Sequence, residues 1–94
     1  MTIELKKFGR ILSSRTAGGE AFNAIRPELD LNDKKVTIDF DGVLSIGPSW
    51  ADEFFTRLQE WSGHEISFLP SENASVIATL RILKEMAASQ KSQA

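Results

Sequence analysis

The chain contains no cysteine, which excludes disulfides, thiolate metal sites and cysteine nucleophiles. Its one histidine, His64, reads as a solvated turn residue, and a lone histidine without cysteine cannot build a zinc site of the common kinds. No apolar run approaches the roughly 18 residues of a membrane span. The opening MTIELKKFGR lacks the apolar stretch of a secretory signal, so a cytoplasmic location is expected. The eleven basic residues are scattered among thirteen acidic ones, and no basic stripe points to nucleic acid. Gly18-Gly19 lacks the Gly-x-x-x-x-Gly-Lys spacing of a phosphate loop. Neither an internal repeat nor a linker is visible, and no cofactor is expected.

What is present suits one globular domain. Ninety-four residues can bury one core and not two, so 1–94 is read as a single unit. An apolar fraction of 41% and a charged fraction of 26% are ordinary for a soluble fold.

Periodicity divides the chain. TIELKKF alternates Ile3 and Leu5 against Thr2, Glu4 and Lys6, the pattern of a half-buried strand. Gly9 breaks it, and RILS is a short second strand, read as the return arm of a hairpin. A helix follows from about Arg15 to Arg26 with an irregular tail, capped by Ser13 or Ser14, with Ala17, Ala21, Phe22, Ile25 and Leu29 at helical spacing. Gly18 and Gly19 each cost such a helix about 1 kcal/mol relative to alanine; their use is close approach of a neighbouring backbone. Pro27 ends or kinks the helix. VTIDF is the clearest strand, with Val36, Ile38 and Phe40 on one face, and Asp41-Gly42 turns the chain after it. SWADEFFTRLQEW is the clearest helix, with Ala51, Phe54, Phe55 and Leu58 as its apolar stripe and Gly63 as its stop. EISFL is another strand. SENASVIATLRILKEMAA is a last helix with a stripe of Val76, Ile77, Leu80, Leu83 and Ala87, and residues 89–94 form a disordered tail. Helices between strands imply crossovers. The expected class is α/β: a small, mixed and largely parallel sheet of about four strands with three helices.

The segment linking the VTIDF strand to the Trp50 helix draws attention to Ser49. The residue before a proline avoids the helical region, so the helix is expected to begin after Pro48. Ser49 with Asp52 three residues on then resembles a capping box. As a cap Ser49 is worth about 1 kcal/mol. The same position places its hydroxyl at the positive end of a helix dipole, where a phosphate adds about −1.5 to −2 charges. Asp52 and Glu53, expected in the first turn, would repel it. Paired carboxylates can also hold a hard cation or do acid–base work. Asp39, Asp41, Asp52 and Glu53 cluster in the sequence, although Asp39 and Asp41 also suit the turn and Asp52 the helix dipole.

VTIDFDGVLSIGPSWADEFFTRL resembles the signature of the STAS-like domains, a bacterial group of uncharacterised function. The matching residues are Asp39, Phe40, Gly42, Val43, Ser49, Ala51, Asp52 and Glu53, with Trp50 in place of the usual phenylalanine. SSRTAGGEAF, through Ser14, Arg15 and Gly18 or Gly19, resembles the opening of the family's first helix, and SENASV its polar approach to the last. STAS-like domains are similar in turn to the anti-sigma factor antagonists. There, an Asp-Ser-Ser-Gly knuckle carries a serine phosphorylated by a kinase of the histidine-kinase ATPase fold. Laid on this chain, the knuckle covers Gly47, Pro48, Ser49 and Trp50, and only Ser49, at the acceptor position, keeps its residue type.

The resemblance implies a non-enzymatic regulatory module with Ser49 as phospho-acceptor candidate. Its partner would be a protein, a serine kinase or anti-sigma-like ATPase. Pro48, Ser49, Trp50, Asp52, Glu53 and Arg15 are the expected partner-binding residues, with Arg15 pairing to Asp52 or Glu53. No catalytic or metal-ligating residue is assigned in this reading. The alternative is a metal-binding or enzymatic domain using Asp39, Asp52 and Glu53. A third reading is self-association through the TIELKKF edge.

Overall fold

A computed structural model describes residues 1–33, 35–63 and 66–92, without the side chains of 88–92. The His64 turn lies outside the described residues, and the tail expected at 89–94 falls where side chains or whole residues are not described.

The first strand, β1 (Thr2–Glu4), buries Ile3 and runs into a 3-10 turn at Leu5–Phe8 that buries Leu5. The period-two pattern thus predicts which residues turn inward, while only three of them are extended. β2 is Ile11–Leu12 and α1 is Arg15–Ile25, followed by a 3-10 turn at Arg26–Glu28 around Pro27. β3 (Thr37–Asp39), β4 (Ser45–Ile46), α2 (Pro48–Ser62), β5 (Ser67–Phe68) and α3 (Ala74–Ser92) complete the order.

The five described strands form two small parallel sheets, β1-β3-β5 and β2-β4. Ile3 lies opposite Ile38, and Leu12 opposite Ile46. β2 is therefore not the return arm of a hairpin. It pairs in parallel with β4, because the turn and Gly9 carry the chain away from β1 before extended structure resumes.

Side chains of α3 occupy the outer edge of β4 in place of a further strand. Ser75 Oγ accepts from Ile46 N at 2.9 Å and donates to Ile46 O at 3.1 Å, and Thr79 Oγ1 donates to the same carbonyl at 2.6 Å. Asn73 Nδ2 donates to the carbonyls of Val43 and Leu44, both at 3.1 Å. Its Oδ1 accepts from the N–H groups of Ser75 and Val76 and so caps α3. Buried backbone groups need such partners, and a strand of two residues cannot recruit a full neighbour.

The core lies where the sheets meet α1 and α2. Ile38, Ala51, Phe54 and Leu58 are fully buried, and Phe54 sits among the rings of Phe8, Phe22, Trp50 and Phe55. Gly18 explains the glycine pair: a Cβ there would lie 2.5 Å from the Trp50 carbonyl oxygen, so α1 reaches α2 only without one. Gly63, at φ 70°, ends α2 and donates to Gln59 O at 2.8 Å. On α3 the stripe is narrower than expected. Val76 is buried, Leu80 and Leu83 pack partly against the core, but Ile77 and Ala87 are exposed. Thr79 takes a buried place instead, because its hydroxyl serves β4.

Candidate functional site

The candidate site is the approach from β4 into α2 together with the start of α1. The pairing of β2 with β4 puts these two strand-to-helix turns side by side, and Gly47 N donates to Leu12 O at 2.8 Å. Gly47, in extended conformation, is the N-cap of α2, and Pro48 is its first helical residue. A proline suits that position because its φ is helical and its missing N–H is not needed there.

Ser49 is consequently not the cap. It is the second residue of the helix, and no side chain caps this end. The capping-box reading is overturned for the same reason: Asp52 and Glu53 fall beyond the first turn, which contains no acidic residue. Ser49 is exposed, and among the described residues no hydrogen bond engages its hydroxyl. Trp50 is 2% exposed and stacks on Phe54 at 4.8 Å, so its side chain offers no contact surface. Its bulk anchors the turn from below, and Pro48 is half-buried beside it.

The predicted pairing of Arg15 is present. Its Nη1 donates to Asp52 Oδ2 at 2.8 Å and to Glu53 Oε2 at 3.2 Å. Ser14 Oγ caps α1 by accepting from Ala17 N at 3.1 Å, at the cost of a φ of 74°, the only positive φ on a described residue other than glycine. The ion pairs thus join α1 to α2 one turn beyond Ser49. Arg57, not singled out from the sequence, completes the group: its Nε donates to Glu53 Oε1 at 2.8 Å. The i,i+4 spacing of Glu53 and Arg57 was the signal that could have found it. The Arg57 hydrogen bond holds the Glu53 carboxyl below its ordinary range against partial desolvation, with help from Arg15. Asp52, and then Glu53, raise the Arg15 guanidinium.

The metal-binding form of the carboxylate alternative finds no ligand cluster. Among the described residues no group of three or more histidine, aspartate or glutamate side chains is placed to hold a metal ion. Asp52 and Glu53 are engaged by arginines. Asp39 Oδ1 accepts from Asp41 N at 2.9 Å, a local turn bond.

No described helix is long and apolar enough to cross a membrane. Neither curated proteins nor solved structures yield a match to this chain. The sequence model of one family does, over residues 18–69: the STAS-like domain of unknown function, DUF4325. The matched segment starts at the glycine against Trp50, includes Ser49 and α2, and ends just past β5. This chain belongs to the STAS-like domain family of unknown function.

Proposed function

We propose that this STAS-like domain is a non-enzymatic regulatory interaction module of the bacterial cytoplasm, switched at Ser49 by a partner serine kinase of the histidine-kinase-like ATPase type. The observation that carries the reading is the state of Ser49. It is an exposed residue with an unengaged hydroxyl, on a turn whose neighbours Gly47 and Trp50 are held by a backbone hydrogen bond and by burial. Such a hydroxyl can enter a kinase site without the fold opening. The terminal phosphoryl of ATP would pass to Ser49 Oγ, the hydroxyl proton would be lost and ADP would leave. The partner would read Ser49 together with Pro48, Asp52, Glu53 and Arg15, all of which keep some exposure.

The test is intact-mass analysis of the chain isolated from its own cells, with and without phosphatase treatment. One phosphate is expected, absent from Ser49→Ala. A chain unmodified in every growth condition, whose Ser49→Asp variant retains the same bound proteins as the parent, would defeat the proposal.

A further inference from the structure

Arg15 serves both of its carboxylates through one nitrogen, Nη1. A guanidinium has five N–H donors, and those on Nε and Nη2 take no part in these two bonds. The side chain is 52% exposed, which leaves the guanidinium room to turn. Neither acceptor relies on Arg15 alone. Glu53 keeps Arg57 through its other oxygen at 2.8 Å, and Asp52 Oδ1 accepts from Thr56 Oγ1 at the long distance of 3.5 Å. Arg15 can therefore turn away without leaving either carboxylate partnerless. Ser49 precedes Asp52 by three residues and Glu53 by four, the spacing of neighbours on one helix face. Side chains on a helix lean toward its N-terminus, which brings these carboxylates, and the guanidinium they hold, toward Ser49.

We propose that Arg15 senses the state of Ser49: a phosphate there draws the guanidinium off Asp52 and Glu53 and onto itself, and so breaks the ion-pair link between α1 and the carboxylates of α2. This rests on the reading of Ser49 as the acceptor. The phosphate brings about as much charge as the two carboxylates together, on one group, and the planar guanidinium fork matches it with two parallel hydrogen bonds in place of two bonds through one nitrogen. Without Arg15 the phosphate would face Asp52 with no cation between them, and Glu53 with Arg57 alone beside it.

The test uses full-length chains with phosphoserine installed at position 49 during synthesis, with Arg15 intact or replaced by Arg15→Gln. Denaturant unfolding compares each with its unphosphorylated form. The phosphate is expected to lower the folded-to-unfolded ratio roughly five-fold more in the Arg15→Gln chain than in the parent, with the gap shrinking in about 1 M salt. A second measurement needs no variant: the Arg15 Nε–H resonance of the parent is expected to shift when the phosphate is present. Equal penalties in the two backgrounds, or an unmoved Arg15 resonance, would overturn the proposal. Installing the phosphate separates the two readings. A Ser49 never modified in cells defeats the switch while leaving this coupling measurable, and absent coupling leaves Ser49 standing as an acceptor.

Discussion

The α1–α2 pair and α3 are attached to the same sheets by different means. Between α1 and α2 the contact is steric: Gly18 sits against the Trp50 backbone, Phe54 is enclosed by rings, and an arginine–carboxylate group closes the solvent side. α3 is fastened at its start by Asn73, Ser75 and Thr79. Beyond that point it leaves Ile82 and Met86 exposed and an open cleft of about 760 Å³ lined by Phe55, Ile66, Phe68, Leu80 and Leu83. The family match covers most of the first arrangement and stops before α3 begins. Close packing allows one geometry, because a displaced methyl group is felt at once. A row of hydrogen bonds at one end of a helix sets position there and leaves the far end less constrained.

Substitutions can break or sharpen this contrast. The largest expected effect is Phe54→Ala, a loss of about 3–5 kcal/mol for an enclosed aromatic, against roughly 1 kcal/mol for Leu83→Ala on the partly covered face of α3. Denaturant unfolding of both variants measures the difference, and equal losses would erase the distinction. Gly18→Ala comes next, at about 3 kcal/mol, because the added methyl meets backbone that cannot rotate away; a smaller residue at position 50 would not relieve it, which the Trp50→Phe double variant would check.

Asn73→Ala removes the α3 cap and two bonds to the β4 approach, at a cost of about 2 kcal/mol. Amide exchange should then quicken in α3 and β4 before it does in α2. Ser14→Gly runs opposite to the usual loss of a serine cap. Glycine costs only a few tenths as a cap, while relief of the positive φ is worth about 1–3 kcal/mol, less the added freedom of the unfolded chain. The expected outcome is a chain about 1 kcal/mol more stable by thermal unfolding.

The smallest effect is acid sensitivity of the α1–α2 ion pairs. Glu53 has a depressed folded pKa, so its contribution is fully present above its ordinary value of 4.5 and fades as pH falls through the lower folded value. The stability gap between parent and Glu53→Gln should close over that interval, and should narrow in high salt at neutral pH.

Much of the site was legible because its determinants are local or nearly so. The stripe of Ala51, Phe54, Phe55 and Leu58 follows from helical spacing alone, and each is buried. The resemblance suggested that Arg15 pairs with Asp52 or Glu53, and it pairs with both. The misplacement at Ser49 was also local: the restriction that proline puts on its predecessor settled Gly47, but a proline can itself begin the helix, which makes Gly47 the cap and moves every later residue two places inward. Asn73 went unnoticed although an asparagine before Ala-Ser-Val is a capping signal; half of its role, the bonds to Val43 and Leu44, has no sequence signature.

The residue pattern by itself determined the α/β class, the three helices and their order, and the inward faces of β1, β3 and α2, but not β4. These follow from spacing along one chain, where period two and period 3.6 select the apolar face. Only the tertiary structure decided that β2 joins β4 rather than β1, that Trp50 is buried, that α3 stands in for a strand, and that Ile77 stays in water. A strand of two or three residues carries too few side chains to specify its neighbour, and burial on a helix depends on what the rest of the chain brings against it.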